Sequence, residues 1–153
     1  MKKLIIYLLG TFFGAGYFPK LPGTFTSALT TMIAYYLLDL APDQYISIVI
    51  VITLAGVYIT GEANKLAGEK DKPIFSLDEV AGQLIAFIPL CFYYEHKLIL
   101  LALGFGLFRF FDIVKPGLIK QAEAYPGGWG VMLDDVISGF FTALCLQSVI
   151  LFL

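Results

Sequence analysis

Two acidic pairs stand out in an apolar chain, Asp78-Glu79 and Asp134-Asp135, each opening a stretch with no further charge. In both, a glycine lies four residues beyond one of the acids, so Asp78 and Gly82 share one helix face, and Asp135 and Gly139 another. A residue that small admits a neighbouring helix or a ligand against the carboxylate. A third group, Arg109, Asp112 and Lys115, falls at helical spacing and sets a guanidinium beside a carboxylate. Acids at a helix start also favour the positive end of its dipole. Two such pairs in one short chain, together with Arg109 and Asp112, exceed what capping requires.

Brought together, Asp78, Glu79, Asp112, Asp134 and Asp135 would repel one another. A hard divalent cation such as Mg2+ relieves that repulsion, because it takes oxygen ligands together with substrate phosphate. Arg109 would grip the phosphate through its fork of donors, and the implied chemistry is phosphoryl transfer or hydrolysis. A further segment suits the same ligand: residues 14–27, GAGYFPKLPGTFTS, form a loop that runs into an apolar helix. Pro19 and Pro22 stop helix formation and Gly23 permits close backbone approach, while Thr24, Thr26 or Ser27 is expected to cap the helix that follows. With Lys20 nearby, free amides and hydroxyls at that helix start fit a phosphate oxygen.

Other catalytic schemes lack their parts. The single histidine, His96, falls in a turn on the opposite side from the acids. Cys91 and Cys145 both sit in apolar stretches and read as packing residues, with no phosphate-binding loop around either.

The elements that must position these groups follow from composition. The 153 residues are 59% apolar and 14% charged, with mean hydropathy +0.84, a membrane composition rather than a soluble one. The net charge of -2 and the absence of a basic run give no reason to expect nucleic acid. Charge-free windows at 21–38, 44–61, 80–94, 98–108 and 136–153 predict helices near 26–40, 45–60, 78–94, 97–111 and 133–153. The windows at 80–94 and 98–108 are too short to span alone, so their flanking charges are drawn toward membrane depth, where an ionisable group is costly and marks function.

The expectation is an all-α, polytopic membrane bundle forming a single domain over residues 1–153. It has four to five transmembrane helices, preceded by an interfacial or re-entrant N-terminal helix. Lys2, Lys3 and the apolar run 4–13 imitate a signal peptide, but that run covers only about half a span. Lys2, Lys3, Lys20, Lys65, Lys70, Lys72, Arg109, Lys115 and Lys120 then fall on one side and Lys97 on the other, which makes the first side cytoplasmic.

The segments resemble the phosphatidylglycerophosphatase A family of bacterial membranes. The matching stretches are GxGYFPxxPGTFxS at 14–27, DEVAG at 78–82, FRxFDxxKP at 108–116 and GGxGxMLDDVxxG at 127–139, in family order across nearly the whole chain. The resemblance implies an inner-membrane, Mg2+-dependent phosphatase that removes the terminal phosphate of phosphatidylglycerophosphate to give phosphatidylglycerol. It implies that Asp78, Glu79, Asp134 and Asp135 form the metal and catalytic set. Arg109 and Lys115 are the phosphate partners, Asp112 supports them, and Thr24 and Ser27 line the entrance. Residues 61–64, Gly-Glu-Ala-Asn, depart from the family's pattern, which leads us to expect an Asp there; Glu62 is the candidate substitute.

Two other classes compete. A transporter also carries intramembrane carboxylates, but usually near the midplane and between repeated halves, and no repeat is present here. A phosphatidyltransferase that uses an activated lipid would carry a longer acidic signature with an Asp-Gly pair, which this sequence lacks.

Overall fold

A computed structural model describes residues 1–68, 72–93 and 95–153. Lys70, counted in the charge asymmetry, and Tyr94, the expected end of one helix, lie outside the described residues. Among the described residues the chain is helical, with no strand.

Helix α1, Lys2–Gly10, is about 14 Å long at the usual rise, well short of a membrane span. The chain then reverses through Phe12, Phe13 and Gly14, all at positive φ, and a 3-10 turn at Ala15–Tyr17. The reversal is tied to the bundle by Ser76 N–H donating to the Gly10 carbonyl at 2.9 Å.

Helix α2, Pro22–Leu37, starts earlier than expected. Its first-turn proline is already set for helical φ, and the residue before it, Leu21, is left-handed at φ 55. Thr24, Thr26 and Ser27 therefore lie inside the helix and cap nothing, and the hydroxyls of Thr26 and Ser27 turn to neighbouring helices instead.

Helix α3, Pro42–Ala67, runs two turns beyond its expected end, through residues 61–64, and closes at Gly68 with φ +70. Helix α4, Leu77–Ala86, is much shorter than expected: the helix predicted over 78–94 breaks at Phe87 into a 3-10 segment, Ile88–Phe92. Pro89 explains the break, since it lacks an amide donor and its ring clashes with the preceding turn. Helix α5 is Lys97–Val114, and a short α6, Leu118–Ala122, follows it. Helix α7, Gly128–Leu151, begins five residues before the expected start. Asp134-Asp135 therefore lies in its second turn rather than at its mouth.

Among the described residues two helices, α3 and α7, are long and apolar enough to cross a membrane. Ten-residue α4 is a central helix with Leu77, Val80, Ala81, Leu84 and Ala86 buried, enclosed by α2, α3, α5 and α7. Large apolar side chains face outward elsewhere, among them Val51 and Leu54 on α3 and Leu98 and Ile99 on α5. That surface calls for an apolar environment.

Glycines set the closest helix approach. A methyl group on Gly82 would come 2.5 Å from the Asp135 carbonyl, and one on Gly139 would overlap the Gly82 carbonyl. Helices α4 and α7 therefore meet backbone to backbone, which brings their acidic residues face to face.

Candidate metal and phosphate site

The α4–α7 contact places Asp78, Glu79 and Asp135 so that one carboxylate oxygen from each lies within 4.8 Å of the others, and Asp112, Asp134 and Asp135 form a second such group. Asp135 belongs to both. Asp78, Asp134 and Asp135 are 6%, 5% and 3% exposed, so the cluster is largely withdrawn from water.

Cations reach it from one side. Arg109, on α5, pairs with Asp112 one turn along at 2.7 Å, and the same nitrogen donates to Ser27 Oγ on α2 at 3.3 Å. Lys115 ends α5 in a left-handed conformation, φ 46, and its ammonium meets Asp134 at 2.7 Å and Glu123 at 2.5 Å. Burial works against that charge, but the bonds to Asp134 and Glu123 outweigh it and hold the Lys115 pKa above the ordinary lysine value.

Gly23 supplies room. A methyl group there would overlap Glu79 Oε1 and come 3.5 Å from Arg109 Nη1, so the bare α2 backbone forms one wall against which Glu79 and Arg109 lie. Thr26 Oγ1 donates to Ser76 Oγ at 2.9 Å and fixes α2 to the start of α4.

Several polar atoms in this region are buried with no hydrogen-bond partner: Glu79 Oε2, Asp134 Oδ1, Asp135 Oδ1 and Arg109 Nε. Such atoms are costly unless a ligand satisfies them. Among the described residues Arg109 and Lys115 are the cations paired with this cluster, and the unpartnered oxygens of Glu79, Asp134 and Asp135 are the donor type that Mg2+ prefers. The residues fit a divalent cation together with an anion that Arg109 Nε can reach.

The remaining expected residues divide. Thr24 is partly exposed on the first turn of α2, and Lys20 is exposed on the preceding loop. Glu62 joins neither carboxylate group. Because α3 continues past it, its oxygens pair with Lys2 at 3.3 Å and Lys65 at 3.0 Å on the protein surface.

Two residues near the site escaped sequence reasoning. Glu123 lies in a segment without helical periodicity, and only its charge could have flagged it. Gln83 is fully buried on α4 with both amide atoms unpartnered; an amide one turn after Glu79 in an otherwise apolar helix was the available signal. His96 begins α5, thirteen residues or about 20 Å along that helix from Arg109. Cys91 and Cys145 are free thiols.

Comparison with known proteins agrees with the chemistry of this cluster. Residues 8–150 match the family described as PgpA, phosphatidylglycerophosphatase A. The Escherichia coli K12 phosphatidylglycerophosphatase A is 32% identical over 139 residues, covering 90% of this chain and 78% of that one. Its Haemophilus influenzae counterpart is 32% identical over 148 residues, covering 94% and 88%. A Bacteroides thetaiotaomicron protein whose name carries a provisional phosphatidylinositol-3-phosphatase assignment is 32% identical over 144 residues, covering 91% and 89%. No solved structure matches. An acidic cluster with orphaned oxygens, an arginine aimed at it and a family match over nearly all the residues lead to one assignment: the chain belongs to the phosphatidylglycerophosphatase A family of phosphoric monoester hydrolases.

Proposed function

We propose that this chain is a Mg2+-dependent lipid phosphatase that hydrolyses phosphatidylglycerophosphate to phosphatidylglycerol and phosphate. The observation that carries the reading is the meeting of Asp78, Glu79, Asp112, Asp134 and Asp135 beside Arg109, with buried oxygens of Glu79, Asp134 and Asp135 left without partners among the described residues. Asp78, Glu79 and Asp135 would hold one cation, and Asp112, Asp134 and Asp135 form a second set of the same kind. When bound, Mg2+ supplies positive charge at the phosphoryl oxygens and lowers the pKa of water.

The protein's own groups do the rest. Ser27 and Asp112 hold one guanidinium nitrogen of Arg109, which leaves Nε to take a phosphate oxygen in a preset orientation. A carboxylate of the cluster accepts the proton released as water attacks phosphorus, and a proton is returned to the glycerol oxygen as its bond to phosphorus breaks. Lys115 pairs with Asp134 and holds its carboxylate in place beside the site, and Lys20 and Thr24 attract the headgroup at the mouth. Phosphoryl transfer demands positioning and charge neutralisation more than covalent chemistry, and these groups supply both.

The substrate's tails remain in the bilayer and its headgroup reaches the site at the interface. With α5 packed against α7 and α2 against α4 and α5, the chain is read as a multi-pass protein of the bacterial inner membrane. The excess of Lys and Arg at the acidic end turns the site toward the cytoplasm. The test is phosphate release by purified protein from a panel of lipid monophosphates, with and without Mg2+, that includes phosphatidylglycerophosphate and a phosphorylated phosphatidylinositol. Release from the first that chelation stops supports the reading. Release from none overturns it and returns the transporter alternative, while preference for the inositol lipid reassigns the headgroup.

A further inference from the structure

Helices α2 and α5 run antiparallel and are joined at both ends. At one end Arg109 donates to Ser27. At the other, Lys97 pairs with Asp39 at 2.6 Å and lies over the Tyr35 ring at 4.4 Å. Twelve residues separate the two clamps on each partner, about 18 Å along α5. Between them lies a cavity of about 310 Å3 that is open to the surface, lined by Thr31, Tyr35, Leu98, Leu101 and Ala102 among others, with almost entirely apolar walls.

The cavity lies in line with the phosphate cradle. On α2, Ser27, Thr31 and Tyr35 recur every fourth residue, so a strip along the helix joins the arginine contact to the cavity lining. On α5, Leu98, Ala102, Gly106 and Arg109 share a face in the same way. The space beside Gly106 is open, with nothing within 4 Å of where a methyl group would stand, so the seam continues from the cavity toward Arg109. Thr31 gives its hydroxyl to the Ser27 carbonyl at 2.8 Å, which satisfies its polar atom within the helix.

We infer that the α2–α5 seam seats one acyl chain of the lipid monophosphate whose headgroup lies against Arg109. The inference rests on the proposed function. The seam begins at a phosphate ligand and runs about 18 Å along α5 between apolar walls, a path that an extended acyl chain can follow. The Lys97–Asp39 pair closes its far end with charge, where an acyl chain stops. This assigns the seam to substrate recognition by chain length rather than to packing against bulk lipid.

The test is photolabelling of the full-length protein by a lipid monophosphate carrying a diazirine near the end of one acyl chain, with the labelled peptides read by mass spectrometry. Labels at Tyr35, Leu98 or Ala102 that unlabelled lipid monophosphate competes away are the expected result. Labels spread equally over outward α3 positions such as Val51 and Leu54, or cross-links to a second copy of the chain, would overturn it.

Kinetics give an independent reading. Ala102→Phe, at an exposed position that leaves the core intact, is expected to raise KM for a long-chain lipid monophosphate about fivefold with kcat held within about twofold. Ile99→Phe, on an outward face of the same helix, should change neither. Unchanged KM in an active Ala102→Phe protein would sink the seam alone. Absence of turnover in wild type would sink the phosphatase reading, and labelling, which needs no turnover, would still decide the seam.

Discussion

Gly23→Ala separates placement of the site from stability of the fold. The added methyl group would occupy the space now taken by Glu79 Oε1. It would stand 3.0 Å from the Glu79 carboxyl carbon, where ordinary contact begins at 3.4 Å. The carboxyl carbon must therefore retreat by about 0.4 Å and the nearer oxygen by more than about 1 Å, a displacement of the size that costs roughly 10²-fold in rate when it falls on a catalytic group. That loss corresponds to about 2.7 kcal/mol of transition-state stabilisation.

Stability should move the other way or not at all. Glu79 ends in a flexible side chain that can turn aside, and alanine within a helix is favoured over glycine by up to about 1 kcal/mol. Phosphate release from phosphatidylglycerophosphate and thermal unfolding, measured on the same preparation, give both numbers. Activity within about twofold of wild type would refute the reasoning, because Glu79 would then take no part. Equal losses of activity and stability would refute it too, because the wall would then be structural.

Other substitutions probe neighbouring links. Asp135→Asn removes the carboxylate common to both acidic groups, and we expect at least about 10³-fold lower phosphate release, checked beside Mn2+ binding by electron paramagnetic resonance, which should weaken in parallel. Gly139→Ala drives a methyl group onto the Gly82 carbonyl, so α4 and α7 must separate, at a cost of about 1–3 kcal/mol in thermal unfolding. Glu62→Gln, at a surface ion pair, should leave turnover unchanged in the same assay. A raised lysine pKa contributes stability fully present below the unfolded value and lost as pH rises through the folded one. The Lys115 contacts should therefore hold through neutral pH and weaken only above about pH 10.4, seen as a difference between wild type and Lys115→Met in unfolding temperature against pH.

The chemistry was more legible in the sequence than the elements that carry it. Charged pairs in apolar surroundings announce themselves, and the glycines four residues beyond Asp78 and Asp135 signal close helix approach because their spacing is fixed by the helical turn. Boundaries are harder, because a charge-free window shows where apolar residues stop rather than where a helix does. A helix can carry charges along its length, so α3 runs on through Glu62, which pairs with Lys2 and Lys65 at the surface, and α7 begins five residues before the expected start at 133. The same rule overstated α4, where Pro89 rather than any charge ends the regular helix.

Long-range partners lay beyond local pattern. Nothing around Glu123 announces that Lys115 will reach both it and Asp134, and nothing near Asp135 shows that it will serve two acidic groups. A hydropathy window sees apolar residues without seeing which are enclosed by protein: the residues of α4 are apolar for the sake of the core.

The central claim is that the acidic cluster works on phosphate only when a divalent cation is present. The most direct measurement is a Mg2+ titration of phosphate release from phosphatidylglycerophosphate by the purified protein, begun in chelator. Activity that rises from none to a plateau with Mg2+ and vanishes again on chelation is the predicted result. Full turnover in chelator would contradict the account.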